Sequence, residues 1–281
     1  MKKYKYIFVS GGVISGLGKG VTASSIALLL KSHGYRVALV KCDPYVNIDA
    51  GTIRPQEHGE VFVTEDGVET DQDIGHYERF INENLTRAHY VTTGQIYQEV
   101  IRRERNFEYK GEDVEVVPHV PEEMIRRFKQ AGKASNADIV IIEIGGTVGE
   151  YQNVLFLEAN RILKMRDKEK VIHIHVGYLP TPPSIGEMKS KPIQISVRLL
   201  NQTGIQPDFL VGRANKFLDE KRKKRISLFC NIDYKDIISN PYVPSVYEVP
   251  LVFKKQGFDL KILEKLGLKS KKTDLFNKWK K

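Results

Sequence analysis

Five glycines and a lysine crowd into the eleven residues 10–20, SGGVISGLGKG, directly behind the apolar run YIFVS. A glycine turn between a strand and a helix turns backbone N–H groups toward an anion, and a lysine inside it adds a mobile positive charge. The chemistry this predicts is phosphate binding. The spacing fits neither common pattern. A dinucleotide fingerprint needs G-x-G-x-x-G, whereas Gly16, Gly18 and Gly20 give G-x-G-x-G. The G-x-x-x-x-G-K-[ST] loop would put its first glycine at Val13. It stands at Gly12 instead, and Gly20 occupies the Ser/Thr position. The result is a G-x5-G-K loop without the hydroxyl that ordinarily holds Mg²⁺. A hard cation must then find carboxylates elsewhere. Asp73, with Glu69 and Asp71, lies in the acidic stretch EDGVETDQD, and Glu143 ends the apolar stretch DIVIIEIGG. Acids in an exposed loop are usually just solvated. A carboxylate at the end of a buried strand is costly unless paired or metal-bound, so Glu143 is the stronger signal. Lys41, ending YRVALVKCD, is a second cation aimed the same way.

These residues need a frame that brings them together. Apolar, β-branched strands are expected at YKYIFVS, YRVALVKCD, VEVVPHV, ADIVIIEIGG, KVIHIHVGYLP and QPDFLVGRAN. Helical spacing marks VTASSIALLLKSHG, HYERFINENL, GQIYQEVIRRERNF, PEEMIRRFKQAGKA, VLFLEANRILKMR, QISVRLLNQTG and DEKRKKRISLFC. Residues 51–75 read as a long loop containing a short strand, and YKDIISNP with SVYEVPLVFKKQG closes the fold. Strands alternating with helices predict a doubly wound, mostly parallel α/β sheet. In such a sheet ligands bind at the carboxyl ends of the strands. The glycine turn, KCDPY, EIGGTVGE and GYLPTPPS all follow strands, so they should meet at one crevice.

Composition narrows the class. The 281 residues are 41% hydrophobic and 28% charged, enough for one large core. No apolar run approaches the roughly 20 residues of a membrane span, and the apolar part of the N-terminus is too short for a signal peptide. The two cysteines, Cys42 and Cys230, are far apart and lack ligand spacing, which argues against a disulfide framework or zinc and for a cytoplasmic setting. The net charge of +9 is uneven. Residues 213–281 hold 18 Lys and Arg against 8 Asp and Glu, and residues 1–212 hold 26 against 27. The run KRKKR at 221–225 reads equally as a polyanion contact or as a solvated helix face. The lysine-rich end reads as a solvated tail.

Taken together, SGGVISGLGKG, KCDPYVNIDAGT, EHGEVFVTEDGVETDQDIGHYERF, TTGQIYQEVIRRER, EIGGTVGE and GEMKSKPIQISVR resemble the N-terminal synthetase domain of CTP synthases. The likeness runs in one order from about residue 4 to 265, leaving 266–281 as a basic linker or tail. It implies a P-loop NTPase-like fold of the dethiobiotin synthetase-like amidoligase kind, and an ATP-dependent ligase. That family aminates UTP to CTP with ammonia, after ATP phosphorylates O4 of the uracil. By resemblance, Gly16, Leu17, Gly18, Lys19, Gly20 and Val21 hold the ATP phosphates. Lys41 contacts the transferred group, and Asp73 and Glu143 bind Mg²⁺. Arg213, Pro241, Tyr242 and Val243 line the adenine pocket. Ser15, Lys189, Ser190, Lys191, Pro192, Ile193, Gln194 and Arg225 meet UTP or CTP, as do Glu150, Tyr151 and Gln152. A homotetramer with UTP sites between subunits is also implied, with no nucleic-acid or membrane partner.

The sequence departs from the family in places. Many members read Asp-Ile-Glu where this chain has Glu150, Tyr151 and Gln152, which puts the usual CTP feedback contact in doubt. Arg225 replaces a lysine, keeping charge but changing geometry. Neither cysteine sits in the G-x-C-x-G turn of a glutaminase. The chain is therefore expected to use ammonia and not glutamine, either as a synthetase half or as a stand-alone synthetase that takes free ammonia or a partner's. Two other classes predict different features. A ParA-like partner-switching ATPase would explain the loop and the basic C-terminal third, but not DPYVNIDAGT or the segment at 189–194. A non-catalytic nucleotide-binding module would be expected to lack Lys19, Lys41, Asp73 or Glu143, and all four are present.

Overall fold

The computed structural model describes residues 4–167, 170–184, 186–271 and 273–280. Its centre is a seven-stranded sheet. In chain order the strands are β1 (Lys5–Gly11), β2 (Val37–Asp43), β5 (Tyr90–Thr92), β6 (Ile139–Ile144), β7 (Val171–Leu179), β8 (Phe209–Ala214) and β9 (Ile237–Pro241). Their spatial order is β5-β2-β6-β1-β7-β8-β9, and every neighbouring pair is parallel. β3 (Val61–Val63) and β4 (Glu69–Asp71) form a separate antiparallel hairpin.

Strand alternation builds the two faces. Ile7 and Val9 of β1 point to the side covered by α1 (Lys19–Ser32), α3 (Asp73–Ile81), α9 (Val249–Lys255) and α10 (Phe258–Lys265). Tyr6 and Phe8 point to the side of α4 (Thr93–Arg105), α5 (Val116–Ala134) and α6 (Val154–Arg166). On that second side α7 (Lys191–Gln202) and α8 (Glu220–Cys230) cover Leu179 and Leu210 with Ile193 and Ile226. The chain leaves β6 on one flank of β1 and returns as β7 on the other, so the strand order switches at the glycine turn.

The doubly wound parallel sheet agrees with the sequence reading, and three segments differ from it. VEVVPHV is not a strand. Val116 and Val117 are exposed, and α5 runs from Val116 with Val120, Met124, Ile125 and Phe128 buried at helical spacing. The edge beside β2 is taken instead by the three residues of β5, with Lys41 opposite Tyr90. Residues 51–75 carry the short helix α2 (Pro55–His58) and the β3–β4 hairpin rather than one strand. Beyond residue 265 the chain stays on the domain. Thr273 Oγ1 donates to the Ser32 carbonyl at 2.6 Å, and Leu268 packs on the core. From α11 (Leu275–Lys280) the Trp279 ring lies 5.5 Å from Phe80 and 5.9 Å from Tyr247. Within this stretch Lys272 and Lys281 lie outside the described residues.

Candidate active site

The glycine turn works through what its glycines leave out. Gly16 and Gly18 take φ of 70° and 82°, the left-handed region, and Gly18 is the N-cap of α1. Lys19 is the first residue of that helix and folds back along β1. A Cβ on Gly11 would lie 2.9 Å from Lys19 Cδ, so only glycine lets the stem pass. Lys19 Nζ then donates to the Gly146 carbonyl at 2.7 Å. Gly20 has the clearest consequence. A Cβ there would sit 2.8 Å from Asp73 Oδ1, so this carboxylate occupies the space that a Ser/Thr side chain would fill in the commoner loop.

Asp73 begins α3 and meets Lys41, which lies near the end of β2 in register with Glu143 of β6. Lys41 Nζ hydrogen-bonds Asp73 and lies 3.6 Å from Asp43 Oδ1, 3.6 Å from Glu143 Oε2 and 3.8 Å from Asp71 Oδ2. Burial opposes the Lys41 charge, but Asp43, Glu143, Asp73 and Asp71 outweigh it and hold the ammonium well above its usual range. The same burial raises Glu143 and Asp43, with Lys41 pulling the other way. For Asp73 the order is reversed: burial raises its pKa, yet Lys41 wins and the carboxyl stays low. Lys19 is lowered by burial, partly offset by Glu143. Two phenols complete the setting. Tyr77 donates to Glu143, and Tyr45 donates to Asp43 at 3.1 Å.

Four carboxylates against two lysines suit a hard divalent cation in charge and donor type. Mg²⁺ is ordinarily held by one or two carboxylates plus substrate phosphates rather than by a protein cage. Among the described residues, no group of three or more His, Cys, Asp or Glu side chains is arranged to hold a metal by itself.

A cavity of about 810 Å³ opens over this cluster. It is lined by Gly16, Leu17, Gly18, Lys19, Gly20, Val21, Lys41, Asp73 and Glu143, and also by Ser15, Glu150 and Gln152. Residues singled out for two different nucleotides thus share one space. The others border or lie outside that lining. Arg213 Nη1 donates to Asn240 Oδ1 at 3.2 Å and to the Pro241 carbonyl at 3.0 Å, with its guanidinium 4.1 Å from the centre of the Tyr242 ring. This makes a flat cationic shelf at the ends of β8 and β9, and Val243 packs against the core. Glu150 accepts from the Thr147 amide at 3.0 Å, while Tyr151 is 97% exposed. Lys189 pairs with Glu187 at 2.8 Å, and Gln194 Nε2 donates to Ser190 Oγ at 3.0 Å. Lys191 and Pro192 open α7, and the Ile193 side chain is fully buried against Gly177. Arg225 is exposed on α8, near enough to help Lys189 and Arg222 lower the Glu187 carboxyl.

Sequence reasoning passed over Asp43, Tyr45 and Tyr77. Asp43 had a usable signal, an acid two residues after Lys41 in KCDPY at a strand end. Tyr77 had none, because a tyrosine in an amphipathic helix reads as core.

A glycine loop feeding a helix at the carboxyl edge of a parallel sheet, with lysines and acids converging on it, defines a doubly wound α/β protein with its crevice at the switch in strand order. The particular family is equally plain: the chain belongs to the CTP synthase N-terminus family, whose model matches residues 5–268. It is 48% identical over 279 residues to a CTP synthase of Porphyromonas gingivalis, covering 99% of this chain and 52% of that protein. It is 50% identical to one of Clostridium perfringens (97% and 51% covered) and 51% identical to one of Sulfolobus acidocaldarius (95% and 50% covered). The chain spans about half the length of the curated relatives it matches. Among solved structures it is similar to the signal recognition particle receptor FtsY of Elizabethkingia anophelis in complex with GDP, with 13% identity and a TM-score of 0.41, covering 76% of this chain and 50% of that one.

Proposed function

We propose that this chain is the synthetase part of a CTP synthase: it converts UTP, ATP and ammonia to CTP, ADP and phosphate. The observation that carries the reading is the single cavity shared by the phosphate loop, the Lys41–Asp73–Glu143 cluster and Ser15, Glu150 and Gln152. O4 of the uracil is a poor leaving group, and phosphorylation cures that. The γ-phosphoryl group of ATP passes to O4, the N3 proton leaves, and ADP departs. Ammonia then adds at C4, the C4–O4 bond breaks with release of phosphate, and the amine loses one proton. Phosphoryl transfer is accelerated mainly by positioning and charge neutralisation. Lys19 and the loop amides hold the ATP phosphates, and Lys41 reaches the group in flight. Asp73 and Glu143 would hold Mg²⁺, which supplies further neutralisation of phosphate charge. The Arg213–Tyr242 shelf suits a flat, electron-rich base such as adenine. Lys189, Lys191 and Arg225 offer cations for the UTP triphosphate. The domain of this activity is the span 1–265.

Ammonia is the nitrogen source in this reading because neither thiol here is built as a nucleophile. Cys42 is fully buried and its pKa pushed far up, and burial raises Cys230 to about 11. We also propose a cytoplasmic homotetramer. Tyr151, Val46 and Ile195 are exposed apolar side chains that a second copy would cover. Among the described residues no helix is long and apolar enough to cross a membrane.

The test is direct. The chain is incubated with ATP, UTP, Mg²⁺ and ammonium, and CTP is measured by chromatography. CTP with ammonium and none with glutamine is the expected result. DNA-stimulated ATP hydrolysis without CTP would overturn the reading.

A further inference from the structure

Beneath the phosphate loop runs a buried chain of side-chain hydrogen bonds that the reaction itself does not use. Asn160 Nδ2 meets His173 Nδ1 at 2.8 Å, and His173 Nε2 meets Ser10 Oγ at 2.7 Å. Ser10 Oγ meets His175 Nδ1 at 2.8 Å, and His175 Nε2 bonds Ser196 Oγ. All five residues are 0–1% exposed. Apart from Asn160 Oδ1, which is buried without a hydrogen-bond partner, the chain is satisfied only when all its bonds run the same way. With Asn160 donating, His173 donates to Ser10, Ser10 to His175, and His175 to Ser196. With the Asn160 amide turned over, every bond reverses. In both directions each imidazole is neutral, donating once and accepting once.

The members come from four elements, and besides β7, which carries both histidines, three lead to an expected ligand segment. Ser10 precedes the phosphate loop. Asn160 lies on α6, which follows Glu150, Tyr151 and Gln152. Ser196 lies on α7, whose first turn carries Lys191 and follows Lys189. Packing at the far end is equally tight. A Cβ on Gly12 would lie 2.1 Å from Ser196 Oγ and 3.2 Å from His175 Nε2, and one on Gly177 would lie 2.2 Å from Ile193 Cγ1. The α7 helix therefore rests on bare backbone at two glycines, one of them in the loop. Apolar side chains could fill this space as densely, but they would allow the helix to slide. A directional polar chain accepts one register, because any slip strands a buried donor or acceptor.

We propose that His175, acting through Ser196, is a positioning residue that sets the first turn of α7 against the phosphate loop. It thereby fixes the UTP phosphate site relative to the ATP phosphate site. The inference rests on the reading that residues 189–194 take the UTP phosphates.

Ser196→Ala removes the far bond and leaves His175 Nε2 unpaired. Stranding a buried group costs about 1–3 kcal/mol, and tenfold corresponds to about 1.4 kcal/mol, so the UTP KM should rise about 5- to 100-fold. The ATP KM should stay within about twofold. His175→Gln and His175→Asn separate the two ends. A glutamine amide reaches the position of Nε2 and can keep Ser196, whereas an asparagine amide reaches only Nδ1 and keeps Ser10. The Gln variant should stay near the parent in UTP KM and the Asn variant should resemble Ser196→Ala. Asn combined with Ser196→Ala should be no worse than either alone. Equal rises for both nucleotides, equal effects of Gln and Asn, or an unchanged UTP KM in Ser196→Ala would overturn the proposal.

Calorimetric titration of the unaltered chain with ATP and with UTP separates this inference from the activity. Binding of both without CTP formation sinks the proposed reaction, and the same variant comparison is then read in binding constants. No UTP binding sinks the inference. Imidazole ¹⁵N spectra of the unaltered chain give a check that needs no variant to fold. Two neutral rings of fixed tautomer support the chain, and a ring titrating near 6.5 refutes it.

Discussion

The two sides of the crevice are built to different standards. On the loop side, every charged group is tied. Lys19 is anchored on Gly146, Lys41 sits among four carboxylates, and Glu143 takes a hydrogen bond from Tyr77. Lys41 and Glu143 are buried and Lys19 is half-buried, and burial strengthens the interactions between them. On the α7–α8 side the cations stand in solvent. Lys189 is paired to exposed Glu187, and Arg225 is itself exposed. The contrast teaches a division of labour. The side proposed to move the phosphoryl group is preorganised within one chain. The side proposed to hold the second triphosphate has its scaffold fixed underneath, by α7 on Gly12 and Gly177, and its charges loose on top.

The largest expected effect comes from breaking the preorganised side. Lys19→Ala removes the cation nearest the loop amides and should lower kcat for CTP formation by about 100-fold or more, the scale of losing one aimed electrostatic group. Turnover within a few-fold of the parent would show that the loop lysine is not part of the machinery. Tyr77→Phe is a subtler cut on the same side. It removes the donor that orients Glu143, and losing such an outer partner of a metal ligand costs about 10- to 100-fold in metal affinity. Mn²⁺ binding followed by electron spin resonance should weaken by that factor, apart from any change in rate. Unchanged Mn²⁺ affinity would mean that Glu143 does not hold the cation.

The same contrast explains what could be read in advance. The loop side was legible because its chemistry depends on residue types that are rare together, glycines, a lysine and a strand-end acid. Gly20 announced the missing hydroxyl, but only the fold put Asp73 into the space it left. The parallel sheet was legible from its long buried strands. The three-residue β5 was not, since Tyr90, Val91 and Thr92 are too few to show a period. VEVVPHV carried the composition of a strand, and tertiary context overrode it because β5 had taken the edge. The histidines of KVIHIHVGYLP lie inside an expected strand. Their partners Ser10, Asn160 and Ser196 are far off in sequence, so no local signal links them.

That buried pair adds a measurable pH dependence to the rigid side. Burial holds His173 well below its usual range and His175 down to about 3, with Lys164 and Lys19 adding repulsion. In the unfolded chain both rings take a proton below about 6.5. The unfolded state therefore binds more protons in acid, and stability falls as pH drops below that value. Each ring contributes a slope of about 1.4 kcal/mol per pH unit. Urea unfolding between pH 6 and pH 5 should show this slope reduced by one ring's worth in His175→Gln. An unchanged slope would mean that His175 is not held neutral.

The smallest effect expected is on the solvent side, and salt should expose it. Exposed charges are screened over about 8 Å at physiological ionic strength, and buried ones much less. Arg225→Ala should therefore raise the UTP KM only a few-fold at low salt, where a surface ion contact is worth up to about 1 kcal/mol. Arg225→Lys should restore most of the loss, since the charge is kept and only the bidentate geometry is given up. Raising the salt should erase the difference between Arg225 and Ala while leaving the penalty of Lys19→Ala intact. If both penalties faded together, the two sides of the crevice would be equally solvated, and the contrast between them would fail.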